Sequence, residues 1–311
     1  MTVLLLLLLP LALPFAAPPL ARRALDRLAP ATALWAVTCC AVVLACCSLT
    51  ALGAFVLTGL LRLPPFAALG ELVRPLRSGS DVVVVPAVAF SAGALAVCLW
   101  AVARSVVRQA RAFRAATAEA DRRATAGDLC VIDSPRPDAY ALPGRPHRIV
   151  VTTGMLRTLG PHEREALFAH ERAHNAGGHH YFLAVAELAA HCHPGLRPVA
   201  AAIRFAVERV ADETAAAVVG DRRLTALAIG RAALAARPGR SSRPPFAPAA
   251  TTGPVPQRVA ALLAAPRVQH RAARWTAALL VACAAVSAGA SAAGAIGFHH
   301  EIEVAQGEEG R

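Results

Sequence analysis

Four apolar stretches leave this chain few ways to fold. They lie at about 3–20, 34–57, 82–107 and 273–298, and an α-helix needs roughly 20 apolar residues to cross a bilayer. A chain carrying them is not an ordinary soluble globule. Composition agrees, with 56% hydrophobic and only 17% charged residues among 311, where soluble domains sit nearer half and a quarter. The first stretch is interrupted by Pro10, Pro14, Pro18 and Pro19. It reads as a retained span rather than a signal peptide, because no positive charge precedes the apolar run while Arg22, Arg23 and Arg27 follow it. The last stretch is rich in Ala, Gly and Ser, the small residues that let membrane helices approach closely.

The net charge is +12, and all 32 basic residues are arginine. Such a charge can signal nucleic acid binding, but these arginines flank apolar spans and form no basic stripe with interleaved aromatics, so no direct nucleic acid binding is expected. Missing lysine and abundant alanine are the composition of a GC-rich bacterial genome, which points to a bacterial inner membrane. Arg104, Arg108, Arg111 and Arg114 follow the third stretch, and Arg267, Arg271 and Arg274 precede the fourth. Arginine near span ends marks the cytoplasmic side. The expected arrangement is therefore N-terminus out, C-terminus out, with residues 108–272 in the cytoplasm and a short extracytoplasmic tail at 299–311. The eight cysteines form no CxxC pair, and Cys39, Cys40, Cys46, Cys47, Cys98 and Cys283 lie inside apolar runs. Neither a disulfide framework nor a thiolate zinc site is expected.

Only 108–272 has the texture of a soluble domain. A polar helix over 105–125 continues the third span. Short β-like runs follow at 129–133, 139–142 and 148–152, separated by Pro and Gly turns. Pro161 opens a helix that ends at Asn175-Ala176-Gly177-Gly178, a second helix covers about 180–191, and a third runs over 197–219 to Gly220. A Pro/Gly/Ser-rich loop occupies 238–256, and 257–265 makes a short helix before the last span.

The chemistry sits in Ala169-His170-Glu171-Arg172-Ala173-His174. Residues four apart share a helix face, so His170 and His174 can bind one zinc ion. Glu171, one residue on, can take a proton from water held by the ion. A catalytic zinc needs a third protein ligand and an open position. Glu208 and Asp212, four apart in Val207-Glu208-Arg209-Val210-Ala211-Asp212-Glu213, can supply that ligand and a carboxylate orienting a ligand histidine. The bland alternative for Glu208 is a surface pair with Arg204, worth a few tenths of a kcal/mol. Other histidines read as structural: His179 and His180 solvated or capping, His191 and His193 binding the last carbonyls of their helix. Tyr140, Tyr181 and His147 are open candidates for stabilising an oxyanion.

The segments AHERAH, HNAGGHH, ELAAHCHP and FAVERVADE, within about 160–220, resemble the M56 membrane metallopeptidases. These are relatives of the antirepressor and sensor peptidases of β-lactam resistance and distant kin of M48. The resemblance implies a mainly α membrane protein, with four transmembrane helices and an inserted cytoplasmic α+β zincin-like metalloprotease domain. It also implies one zinc per chain held by His170, His174 and Glu208, with Glu171 as general base and Asp212 as the orienting carboxylate. The expected activity is regulatory proteolysis of a protein or peptide, a cytoplasmic transcriptional repressor among the candidates, with the substrate extended along an edge strand taken as 148–152. Two departures stand out. Arg172 occupies a position usually apolar in the family, and the 13 residues at 299–311 are too few for an extracellular sensor domain. Two alternatives remain at this point: an M48-type quality-control protease, and a non-catalytic, zinc-stabilised signalling or anchoring protein.

Overall fold

The computed structural model describes residues 2–60, 81–123, 125–236, 254–264 and 271–308. The expected loop at 238–256 falls largely outside these residues. Three long apolar helices dominate: α3 (Pro30–Leu60), α4 (Asp81–Asp121) and α11 (Arg271–Glu308). Their membrane-length segments are Pro30–Leu57, Val85–Asp121 and Ala273–Gly294. α4 runs unbroken through the expected boundary at 107/108, so the third span and the polar helix are one rod.

The first apolar stretch departs from expectation. It is broken into α1 (Thr2–Ala12), a 3-10 turn at Leu13–Phe15 and α2 (Ala17–Arg27), so among the described residues three helices, not four, are long and apolar enough to span. Proline is the cause. Pro14 opens the 3-10 turn and another proline sits in the first turn of α2, where a missing N–H is tolerated but an uninterrupted helix is not. The broken segment still runs antiparallel to α3. Leu7 packs on Ala51 and Phe55 near the end of α3, Ser48 Oγ donates to the Pro10 carbonyl at 2.9 Å, and Arg27 Nη1 reaches Thr276 at the start of α11.

Beyond α4, β1 (Thr125–Ala126), β2 (Leu129–Ile132), β3 (Ala139–Leu142) and β4 (Arg148–Thr152) form one sheet in the order β1-β2-β4-β3. β4 pairs parallel to β2 and antiparallel to β3. The strand expected at the edge, 148–152, is therefore central and has no free edge for a substrate. β3 carries the free edge instead. Helices follow: α5 (Thr153–Thr158), α6 (Pro161–Ala176), α7 (His179–Cys192), a 3-10 turn at Pro194–Leu196, α8 (Arg197–Val219), α9 (Arg222–Ala235) and α10 (Val255–Leu263). The sequence reading lacked α5 and α9, although both carry caps. Thr152 accepts from the Met155 N–H, and Asp221 from the Arg223 and Leu224 N–H groups.

A single core joins spans and site-bearing helices. Ala17, Ala21 and Ala24 of α2, Leu34, Val37, Ala41 and Leu44 of α3, Ala186 and Ala189 of α7, Val199, Ile203 and Val207 of α8, and Leu280 of α11 are buried together. The turn between α7 and α8 docks on the N-terminal segment so tightly that a Cβ at Gly195 would lie 2.9 Å from the Pro14 carbonyl carbon. Gly195→Ala should cost about 1–3 kcal/mol by overpacking, read as a lower thermal midpoint in detergent. Gly53→Ala, where a Cβ meets nothing within 4 Å, is the control. Equal midpoints for the two variants would show that the docking is loose.

Candidate metal centre

α6 is started and stopped by its own sequence. Glu163 reaches back so that its carboxylate accepts the Gly160 N–H at 2.9 Å, and Pro161 occupies the first turn. Gly178, at φ 61°, takes the left-handed conformation that separates α6 from α7. Between these ends, His170, Glu171 and His174 all fall on the buried face, at 0–1% exposure. α8 packs across α6 and presents Glu208 and Asp212, likewise buried.

The three expected ligands converge. His170 Nε2 and His174 Nε2 are 3.0 Å apart, Glu208 Oε2 is 3.5 Å from His170 Nε2, and Glu208 Oε1 is 3.8 Å from His174 Nε2. Among the described residues this trio alone brings three metal-ligating atoms within 4.8 Å of one another. Tetrahedral zinc with bonds of about 2.0–2.1 Å places its ligand atoms roughly 3.4 Å apart. The triangle fits such an ion, with two imidazoles and one carboxylate as donors. The alternative for Glu208 fails, because the side chain turns inward while Arg204 lies on the exposed side of α8.

Asp212 takes the orienting position, with Oδ1 3.1 Å from His170 Nδ1, which leaves Nε2 facing the metal position. Sequence reasoning missed its partner. Arg258 of α10 is fully buried and forks onto Asp212, Nε to Oδ2 at 2.8 Å and Nη2 to Oδ1 at 2.6 Å, while Nη1 lies 3.0 Å from Glu208 Oε2. The only signal in the sequence was an arginine inside a short helix that otherwise reads as a surface element. Burial alone would raise the Asp212 carboxyl, but hydrogen bonds from Arg258 and His170 outweigh it and hold the group below the usual carboxylate range. Burial likewise opposes charge on His170, yet bonds to Asp212 and Glu208 carry it up to about 9 in the absence of a metal.

Several secondary readings change. His179 is neither solvated nor a cap: it is buried, with Nδ1 2.8 Å from His174 Nδ1, and so meets the second expected ligand as Asp212 meets the first. Burial, then the charges of His170 and His180, push it down to about 4. A Cβ at Gly177 would sit 2.5 Å from His179 Nε2, so glycine there makes room for the ring. His193 Nδ1 accepts the Gly195 N–H at 3.1 Å and so caps the next turn rather than binding carbonyls of α7. Arg172 points away from the metal position to pair twice with Asp128, at 2.7 and 2.9 Å, and its unusual charge is thereby matched at the surface. Tyr140 packs with Ala120, Cys130 and Leu142 on the face of the sheet turned to α4, opposite the face that Ala139 and Val151 turn towards Leu167 of α6. It leaves the oxyanion candidates, while Tyr181 and His147 remain exposed.

Glu208→Ala should weaken zinc binding far more than Glu213→Ala, because Glu213 pairs with Arg222 and Arg209. Asp212→Ala should cost about 10–100-fold in affinity, read by competition with a chromophoric chelator. Indistinguishable effects at Glu208 and Glu213 would mean that the wrong carboxylate is assigned. Arg258→Met strips a buried carboxylate pair of its counter-charge, a loss of about 3–5 kcal/mol. Bound metal should restore much of it by supplying positive charge, so melting with and without chelator should differ more in the variant than in the parent. An identical deficit in both states would reduce Arg258 to packing.

Residues 103–238, a little under half of the chain, match the family model of peptidase family M48. No curated protein and no solved structure matches the chain. The match spans α6 and α8 and both halves of the metal cluster, and it supports an M48-type metallopeptidase.

Proposed function

We propose that this chain is an integral-membrane zinc endopeptidase of the M56 kind, engaged in regulatory proteolysis. The observation that carries the reading is the ion-sized triangle of His170, His174 and Glu208 with Glu171 buried beside it. A carboxylate withdrawn from water is costly unless something compensates it. One zinc per chain at this cluster would add to the compensation that Arg258 gives, and a carboxylate placed beside a ligand histidine is what a hydrolytic site needs and a merely anchoring one does not.

Bound there by His170, His174 and Glu208, the metal would polarise the scissile carbonyl and bring the pKa of a bound water towards ~7. This chain's own residues do the remainder. Glu171 accepts the proton released as water attacks and later delivers it to the leaving amine. Asp212 and His179 keep the two imidazoles in their ligating tautomers through His170 Nδ1 and His174 Nδ1. An extended substrate adds to the free edge of β3, the strand nearest α6 at the margin of the sheet. The arginines flanking α4 and α11 favour a cytoplasmic site in a bacterial inner membrane, which makes a soluble repressor an accessible substrate.

The M48 match favours a second reading equally, a quality-control protease acting on misfolded membrane proteins. Both readings share the chemistry and differ in the substrate. Glu171→Gln should retain about one zinc per chain yet lose ~10²–10⁴ in peptidase rate, measured on an unfolded reporter protein in detergent micelles. Undiminished cleavage by that variant would remove Glu171 from the mechanism.

A further inference from the structure

We infer that the hairpin of α7 and α8 is itself inserted in the bilayer, to between a third and a half of its depth, with the outer side of α7 against lipid acyl chains. The inference rests on α3, α4 and α11 being membrane spans, and it adds that the metal centre lies at the membrane surface.

Contacts along the hairpin fix its height against the spans. Near its start, Phe182 meets Trp35, close to the beginning of α3, with ring centroids 4.9 Å apart. Midway, Glu187 accepts from Ser105 Oγ at 2.8 Å and from Arg108 Nη2 at 2.5 Å, where α4 changes from apolar to arginine-rich. At its end, Cys98, deep in the apolar part of α4, donates to the Cys192 carbonyl at 3.3 Å. The turn itself rests on Pro14, one helical turn from Pro10, whose carbonyl meets Ser48 in the middle of α3. From Glu187 to Cys192, and from Phe182 to Cys192, the helix descends about 8 and 15 Å. The hydrocarbon layer is about 30 Å thick.

Packing leads to the same place. Leu34, Val37, Ala41 and Leu44 are buried with Ala186, Leu196, Val199 and Ile203, so the hairpin occupies the space that lipid would fill beside the first half of a span. Val185 and Leu188 are only partly buried on α7, leaving apolar surface there that acyl chains can cover. On the submerged part Glu187 is engaged by α4 and His193 by the Gly195 N–H, as a medium without water requires, while His191 Nε2 stands 3.8 Å from Glu187 Oε1. Arg197, next to the turn, and Arg204, seven residues on, are exposed on α8. Their long side chains carry charge towards the headgroups, so lipid contact belongs to α7.

Depth-dependent quenching tests this. With the native cysteines replaced by serine, an environment-sensitive fluorophore is attached singly at Leu188 of α7, at Val281 of α11 and at Leu234 of α9. The protein is reconstituted in phosphatidylcholine–phosphatidylglycerol vesicles containing lipids spin-labelled in their acyl chains. The Leu188 probe should be quenched at least half as strongly as the Val281 probe, and the Leu234 probe not at all. A Leu188 probe as unaffected as Leu234, beside a quenched Val281, overturns the hairpin's insertion and leaves the spans intact. Absence of quenching at Val281 overturns the spans themselves and the inference with them. If Leu188→Cys fails to fold, Val185→Cys, one turn earlier on the same face of α7, carries the same expectations.

Discussion

The metal centre depends on how charge is compensated away from water. Glu171, Glu208 and Asp212 are three buried carboxylates, and Arg258 is the buried guanidinium among them. An uncompensated buried ion costs several kcal/mol. Arg258 settles Asp212 with a two-pronged fork and leans on Glu208 with its remaining nitrogen. The excess of negative charge that remains is what a dication would cancel, and without a metal the cluster draws a proton onto His170 instead. The candidate ligands are thus held in place by a residue outside their trio. α10, which looks dispensable in the sequence, becomes part of the centre because Leu262 anchors it on Ala216, Ala226 and Ile229 and points Arg258 inward.

What could be read in the sequence was what local rules dictate. α8 begins after the Pro194–Leu196 turn and ends at Gly220 in the left-handed conformation, and signals of that kind are visible letter by letter. The HExxH spacing placed two histidines and a glutamate on one face because helical period alone does so. Long-range pairing was hidden. Nothing local to residues 148–152 says that β2 and β3 flank them on both sides, and the error of treating them as an edge strand followed. His179 was misread for a related reason. A histidine after two glycines looks solvent-facing, but Gly177 makes the space that lets its ring fold back on His174. Arg258 lies 46 residues from Asp212, beyond any spacing rule.

The same physics explains why spans and site cannot be described separately. α8 contributes Val199, Ile203 and Val207 to a core shared with α2, α3 and α7, and one residue later Glu208 to the metal cluster. A helix gripped along one stripe by long apolar helices has little freedom to rotate, so the position of Glu208 is set partly by α3. Arg172 and Asp128 add a tie from the other side, fixing the turn of the sheet to α6.

Alanine then acquires a structural meaning beyond composition. Ala166, Ala169 and Ala173 are buried on α6, and Ala211 and Ala215 on α8. Small side chains let two helices approach towards the short end of the usual interaxial range of about 8–10 Å. The ligand separations of 3.0, 3.5 and 3.8 Å leave little tolerance, because zinc bonds vary by only a few tenths of an ångström. A larger residue at these contacts would widen the gap between His170 and Glu208 before it disturbed anything else. The bias towards alanine, which in the sequence marked only a GC-rich genome, therefore also bears on the size of the ion that the candidate site could hold.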